Sequence, residues 1–319
     1  MPQPTSRDVH ADIPLTNISI AYIQREENYI AGKVFPRVPV AKQSDKYWVY
    51  TKGDWFRDEA RKRADATESA GSGYTVSSTA TYFCDVYAFH KDIGAQTRAN
   101  ADGAINLDRD ATQFITQRLL LRQEIDWMDS YFSTGVWTNE ATPSNLWSDY
   151  SLGDPISDIE EGIETVLGET GLRPNTLTLG YRTWRYLKHH PDLVDRVKFT
   201  GGPDSDMKRA IADLFEIEMI HTTMSIKNSA AEGVTPVYGF NSGNHALLSY
   251  APASPGLLAP TAGYNFTWTG YNGGLGTEIT ISRIALDHIK ADRIEGEISY
   301  AFKVIGQDLA YFFAGAVST

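Results

Sequence analysis

From Asn106 to Ser133 the chain reads NLDRDATQFITQRLLLRQEIDWMDSYFS, with no proline or glycine inside it. Phe114, Leu121, Ile125, Met128 and Phe132 recur at spacings of seven, four, three and four, which places them on one side of a helix. Asn106 can cap the start, Asp108 and Asp110 suit the positive end of the helix dipole, and Gly135 follows the last turn. Such a rod is roughly 40 Å long. An apolar stripe of that length needs a sheet beneath it, while Arg118, Arg122, Asp126 and Asp129 face outward. The class implied is α+β.

Charge narrows what such a fold can do. The 319 residues carry a net charge of -11 and a pI near 5.1, the opposite of a surface built to grip phosphates. The sequence is 42% hydrophobic and 22% charged, enough for a sizeable core and more than one lobe. One cysteine, Cys84, has no internal partner, and the histidines lie at no zinc-binding spacing. The start, MPQPTSRDVHADIPL, is no signal peptide, and no run reaches the ~20 apolar residues of a membrane span. An intracellular, reduced origin off the membrane is expected. GxSxG, Walker, HExxH and CxxC patterns are absent, so no catalytic, cofactor-binding or metal-ligating residue is assigned.

Residues 1–45 carry Pro2, Pro4, Pro14, Pro36 and Pro39, a spacing that favours an extended arm with one short amphipathic turn over 18–30. Ile13, Leu15, Ile18, Ile20, Tyr22 and Ile23 are too apolar for a solvated tail, so the arm is expected to lie on something. FPRVPV at 35–40 can only be an edge. From 46 to 90 two strands, YWVY at 47–50 and TVSSTATYFCDVYAFH at 75–90, flank a long loop, RDEARKRADATESAGSG. In the second strand Tyr82, Cys84, Val86 and Ala88 should share one side and Phe83, Asp85, Tyr87 and Phe89 the other. Arg61, Lys62 and Arg63 could pass for a nucleic-acid patch, but Asp58, Glu59, Asp65 and Glu68 flank and cancel it.

After Trp137 and Trp147 the pattern becomes α/β. Asp154 caps a helix with Pro155 at its first position, Ile156, Ile159, Ile163 and Val166 mark its buried face, and Gly171 ends it. TLTLG at 176–180 is a buried strand, followed by helices over 181–190 and 204–215 and the strand EIEMIHT at 216–222. His189 and His190 read as cations favoured by a helix C-terminus rather than as metal ligands. The end of the chain is aromatic and β-rich: YNFTWTGYNGG, TEITISRIALDHI, RIEGEISYAFKVI and LAYFFAGAV. These strands could supply the sheet under the long helix. Gly270, Gly273, Gly274 and Gly276 follow no strand–loop–helix pattern that would mark a nucleotide site.

The order of parts resembles the major capsid protein of tailed bacteriophages, the Hong Kong 97-like fold. The segments that carry the likeness are ADIPLTNISIAYIQREENYIAGKVFPRVPVAKQSDKYWVYTKGDWFRDEA at 11–60, RPNTLTLGYRTWRYLKHHPDLVDRVKF at 173–199, ALLSYAPASPGLLAPTAGYNFTW at 246–268 and IKADRIEGEISYAFKVIGQDLAYFFAGAV at 289–317. The resemblance implies an N-terminal arm (1–45), an extended loop (46–90), a peripheral domain (91–150) with the 106–133 helix as its spine, an axial domain (151–262) and peripheral return strands (263–319). It implies pentamers and hexamers closing into an icosahedral shell around double-stranded DNA in a virion made in the bacterial cytoplasm. A portal, a separate scaffolding protein and a decoration protein are the partners it suggests. No charged helical segment precedes the arm, so the shell subunit is expected to begin near Met1. No donor–acceptor pair for covalent cross-linking can be matched. The mixed charges Arg57, Asp58, Glu59, Arg61, Lys62, Arg63, Asp65 and Glu68 are then candidate contacts with a neighbouring subunit. An encapsulin-like shell around a cargo enzyme is the alternative, and a soluble hydrolase a third.

Overall fold

The computed structural model describes residues 24–101, 105–197, 206–256, 258–270 and 279–318. The long helix spans Leu107–Tyr131, and the Asn106 side chain accepts from the Arg109 amide at 3.0 Å. Arg98 grips Asp108 through both terminal nitrogens at 2.9 and 2.7 Å, fixing the first turn to the short helix Ala95–Ala99 that precedes it. The buried stripe is Ala111, Ile115, Leu119, Leu120, Gln123, Glu124, Trp127 and Met128. This corrects the expected face: Met128 and Phe132 are inside, Leu121 and Ile125 sit half-buried on the flank, and Phe114 is exposed. The true stripe contains two polar residues, which an apolar repeat passes over.

Beneath the helix lies a five-stranded sheet. Its long strand, Ala291–Val304, pairs with Asp85–Gly94, Ile279–Leu286 and Gly263–Trp268, and Arg37–Val40 adds parallel to the last of these. Pro39 is tolerated because Arg37–Val40 is an edge. Gly296 lets the helix approach: a Cβ there would stand 2.4 Å from Ile115 Cγ2.

A second five-stranded sheet runs Asn139–Ala141, Ala310–Phe313, Ala246–Ser249, Thr176–Gly180, Met219–Thr223. It packs against the helix Pro155–Thr170, where Ile156, Ile159, Ile163 and Val166 are buried, Asp154 caps the Ser157 amide and Gly171 takes φ +70°. The strand expected over 216–222 is Met219–Thr223, and the helix expected over 204–215 is described as Met207–Leu214.

Three expectations need correcting. The strand Ala310–Phe313 does not lie under the spine helix; it pairs in the second sheet, with Phe312 in the spine core and Phe313 in the other. A strand buried on both faces joins two cores because successive side chains point oppositely. The 75–90 strand is three pieces, Val76–Ser77, Thr81–Phe83 and Asp85–Gly94. At Cys84 the backbone leaves its neighbour Ser44–Lys46, so Val86 is exposed and Tyr87 and Phe89 turn inward. His190 does not end a helix. It is fully buried, and its carbonyl accepts from Val194 in the next helix, Pro191–Val197. Gly273, Gly274, Gly276 and residues 18–23 of the turn read over 18–30 lie outside the described residues.

Candidate assembly surfaces

The extended loop carries almost no core of its own. Its strands form two ribbons, Ser44–Lys46 with Thr81–Phe83 and Val49–Tyr50 with Val76–Ser77, and an isolated two-stranded ribbon is marginal in water. Between the ribbons and the charged tip the loop touches the body: Lys52 pairs with Asp308, and the Phe56 ring lies over Gly171. Beside this contact Tyr50, Trp55 and Tyr74 cluster with ring centroids 5.7 to 6.0 Å apart. Trp48 is 59% and Tyr74 64% exposed. Large uncovered aromatics in one place mark a surface that another protein covers.

All eight charged residues singled out in the sequence lie at the tip of this loop. Arg57 pairs with Glu59 at 3.3 Å and Asp54 at 3.6 Å, while Arg63 donates from Nε to the Thr67 carbonyl. Asp58, Arg61, Lys62, Asp65 and Glu68 are exposed along an irregular path. The aromatic cluster beside them escaped the charge-based reading, although Trp48, Tyr50 and Trp55 stand close together in the sequence.

Where arm, spine and second lobe meet, the structure places a carboxylate that the sequence reading missed. Glu124 is fully buried. Its Oε2 accepts from the backbone amides of Ile30 and Ala31, both at 2.9 Å, at the start of the short helix Ala31–Val34. Its Oε1 faces the hydroxyls of Thr223 at 3.5 Å and Ser225 at 3.4 Å. Burial raises its pKa to about 7 against the pull of those four donors. Tyr29, pushed up to about 12 by burial and then by Glu124, donates to Gln117 Oε1 at 3.0 Å. No local motif announces this joint, because its donors are 93 to 101 residues distant in sequence.

Cys84 is fully buried, and its Sγ donates to the Phe266 carbonyl at 3.5 Å. Burial pushes the thiol up to about 11, so the reactive thiolate is scarce at neutral pH. Native protein is expected to resist a thiol reagent that labels unfolded protein at once, and to show no disulfide dimer on non-reducing gels. Fast labelling in the native state would contradict this packing. Among the described residues no group of three His, Cys, Asp or Glu is arranged to hold a metal ion, and no helix is long and apolar enough to cross a membrane.

No family model matches the chain. It is 31% identical over 321 residues to the major capsid protein of Pseudomonas phage JBD67, covering 96% of this chain and 97% of that one. The major capsid protein of Burkholderia phage BcepMu is 26% identical over 250 residues, 77% of this chain and 78% of the relative. Among solved structures, a phage-related protein from Bordetella bronchiseptica matches with a TM-score of 0.66 at 18% identity, over 92% of this chain and 93% of that one. The capsid of cyanophage P-SCSP1u matches with a TM-score of 0.58 at 9% identity, over 93% and 90% of the two chains. At those identities the structural likeness speaks for the fold. The near-complete match to a named relative carries more, and on it the chain belongs to the family of bacteriophage major capsid proteins.

Proposed function

We propose that copies of this chain close, as pentamers and hexamers, into the icosahedral head shell of a tailed bacteriophage, in the Hong Kong 97-like subdivision of the fold, around a double-stranded DNA genome. The observation that carries this reading is the extended loop, uncovered aromatic rings and mixed charges on ribbons too thin to stand alone, in a member of a capsid family. A neighbouring copy supplies the missing cover. On this reading residues 1–45 are the arm, 46–90 the extended loop and 151–262 the axial domain. Residues 91–150 and 263–319 form the peripheral domain, whose last strand reaches into the axial sheet. An acidic chain repels packaged DNA rather than holding it. A separate scaffolding protein, a portal and a decoration protein complete the assembly proposed, and the chemistry asked of the subunit is association, not catalysis.

Electron microscopy of the purified protein tests the shell directly: closed icosahedral particles are expected, and a stable monomer with no particles would refute it. Within the shell, Arg57, Asp58, Glu59, Arg61, Lys62, Arg63, Asp65 and Glu68 are proposed as contacts with the next subunit. Exposed charge pairs are individually weak, but a closed shell repeats each of them in every subunit. Changing Arg61, Lys62 and Arg63 together to glutamate is expected to leave a folded, soluble subunit that assembles poorly, with a defect that shifts with salt. Normal shells at wild-type yield would remove these residues from the interface.

A further inference from the structure

One end of the second sheet holds a pocket of 480 Å³, where the strand Thr176–Gly180 gives way to the helix Tyr181–Leu187, the strand Ala246–Ser249 begins and the chain passes Gly315. Arg182, Phe240, Ser242, Asn244, His245 and Val317 line it together with three glycines. Its frame is fixed from several sides. The His245 carbonyl accepts from the Gly180 amide at 3.3 Å and from the Thr183 hydroxyl at 3.2 Å, which ties the loop 241–245 to the turn of helix that carries Arg182. The His245 ring packs beside those of Phe132 and Phe312, with ring centres 5.9 and 5.2 Å away.

The Gly315 amide donates to His245 Nδ1 at 3.0 Å. An amide can only donate, so Nδ1 holds a lone pair and the neutral imidazole carries its proton on Nε2. Burial lowers the His245 pKa, which keeps the ring neutral at neutral pH. A Cβ on residue 243 would stand 2.7 Å from Nε2, so glycine there leaves that donor uncovered. Among the described residues nothing in the chain pairs with the Arg182 guanidinium, the Ser242 hydroxyl, the Asn244 side-chain amide or His245 Nε2. In a chain of 40 acidic and 29 basic residues, no described carboxylate lines the pocket. One fixed positive charge ringed by neutral donors matches a monoanion, and the planar guanidinium matches a pair of carboxylate oxygens.

We propose that this pocket binds a carboxylate borne on a short apolar group. Arg182 grips its two oxygens, His245 Nε2, Ser242 and Asn244 donate to them, and Phe240 and Val317 take the apolar part. Phe240 is 39% exposed, and its ring is held by Tyr181 with ring centres 5.3 Å apart, so an apolar surface stands beside the charge, as small-molecule sites require. Two sources share this chemistry. One is a free short-chain acid, and the other is an Asp or Glu side chain of a second copy of this chain, which rests on the shell proposed above.

Isobutyrate titrated into the unassembled full chain at constant ionic strength tests the site whether or not shells form. In nitrogen–proton correlation spectra the amides of Asn244 and Gly315 are expected to shift and saturate. Arg182 is exposed and unpaired, so Arg182→Gln should fold as wild type does and weaken binding at least tenfold. Arg185→Gln, one turn on and outside the pocket, should leave binding unchanged. Inorganic phosphate should bind more weakly than isobutyrate. The absence of saturation, equal affinity in folded Arg182→Gln, or phosphate bound as tightly as isobutyrate would each overturn the proposal. Equilibrium dialysis of radiolabelled isobutyrate against assembled particles then separates the sources. Exclusion from particles by a pocket that binds it in the free subunit assigns the site to an acidic side chain of a neighbouring copy, and equal binding in both assigns it to a free acid.

Discussion

Glu124→Ala is expected to lower the unfolding free energy of the subunit by about 3 kcal/mol, because two buried backbone amides lose their acceptor at once. Those amides belong to Ile30 and Ala31, where the arm touches the spine. Glu124→Gln keeps an acceptor for them and offers its NH2 to the Thr223 and Ser225 oxygens, so it should cost far less. It should also change the pH dependence. The folded pKa of about 7 lies above the ordinary glutamate value of 4.5, so the folded state holds a proton that the unfolded chain releases. That contribution is fully present below pH 4.5 and is lost as pH rises through about 7. Relative to Glu124→Gln, wild type should therefore lose about 3 kcal/mol over that span, from a difference of 2.5 pH units. His221, held at about 4 by burial and by Lys208 and Lys33, works in the opposite direction at acid pH. It is common to both proteins and drops out of the comparison. Urea unfolding of unassembled subunits from pH 4.5 to 8.5 reads both effects, and a Gln variant as unstable as the Ala variant would sink the account.

The caps and the buried alternation of a single element were legible because each is a local code. Asn106, Asp154, Pro155 and Gly171 stand where the sequence placed them. What local codes do not carry is which partner an element meets. The spine's buried face was misjudged because Gln123 and Glu124 occupy it, and Glu124 earns its place through donors from two other parts of the chain. The turn at Cys84 is set by Gln43, whose carbonyl accepts from the Cys84 amide at 2.9 Å and whose Nε2 donates to the Cys84 carbonyl at 3.1 Å. Nothing in TYFCDVY itself marks it. LAYFFAGAV is apolar on both sides because two cores share it, and continuous apolarity says how deeply a strand is buried, not in which sheet. The loop tip was visible as charge, but the rings beside it gain meaning only once the ribbons are seen to lack a third strand.

Phe35→Ala is expected to cost about 3 to 5 kcal/mol, the range for emptying a fully enclosed aromatic site. Phe35 is 0% exposed and stands between the short helix Ala31–Val34 and the edge strand Arg37–Val40. Trp127, Tyr131, Trp137 and Phe302 present rings at 5.7, 5.2, 6.3 and 6.1 Å, and the strand Arg37–Val40 begins two residues later. The fifth wall is Gly263, where a Cβ would stand 2.4 Å from Phe35 Cε2 and 2.5 Å from Cζ. Gly263→Ala alone should therefore be overpacked, by about 1 to 3 kcal/mol. With Phe35 already alanine, the same methyl enters vacated space and should cost nearly nothing. The two changes then fail to add by about 1 to 3 kcal/mol, in the direction of rescue, as neighbours sharing one cavity do. Denaturant unfolding of the four proteins closes the cycle. Additivity within about 0.5 kcal/mol would mean that Phe35 and Gly263 do not share that space, and that the arm is pinned to the sheet by its backbone pairing alone.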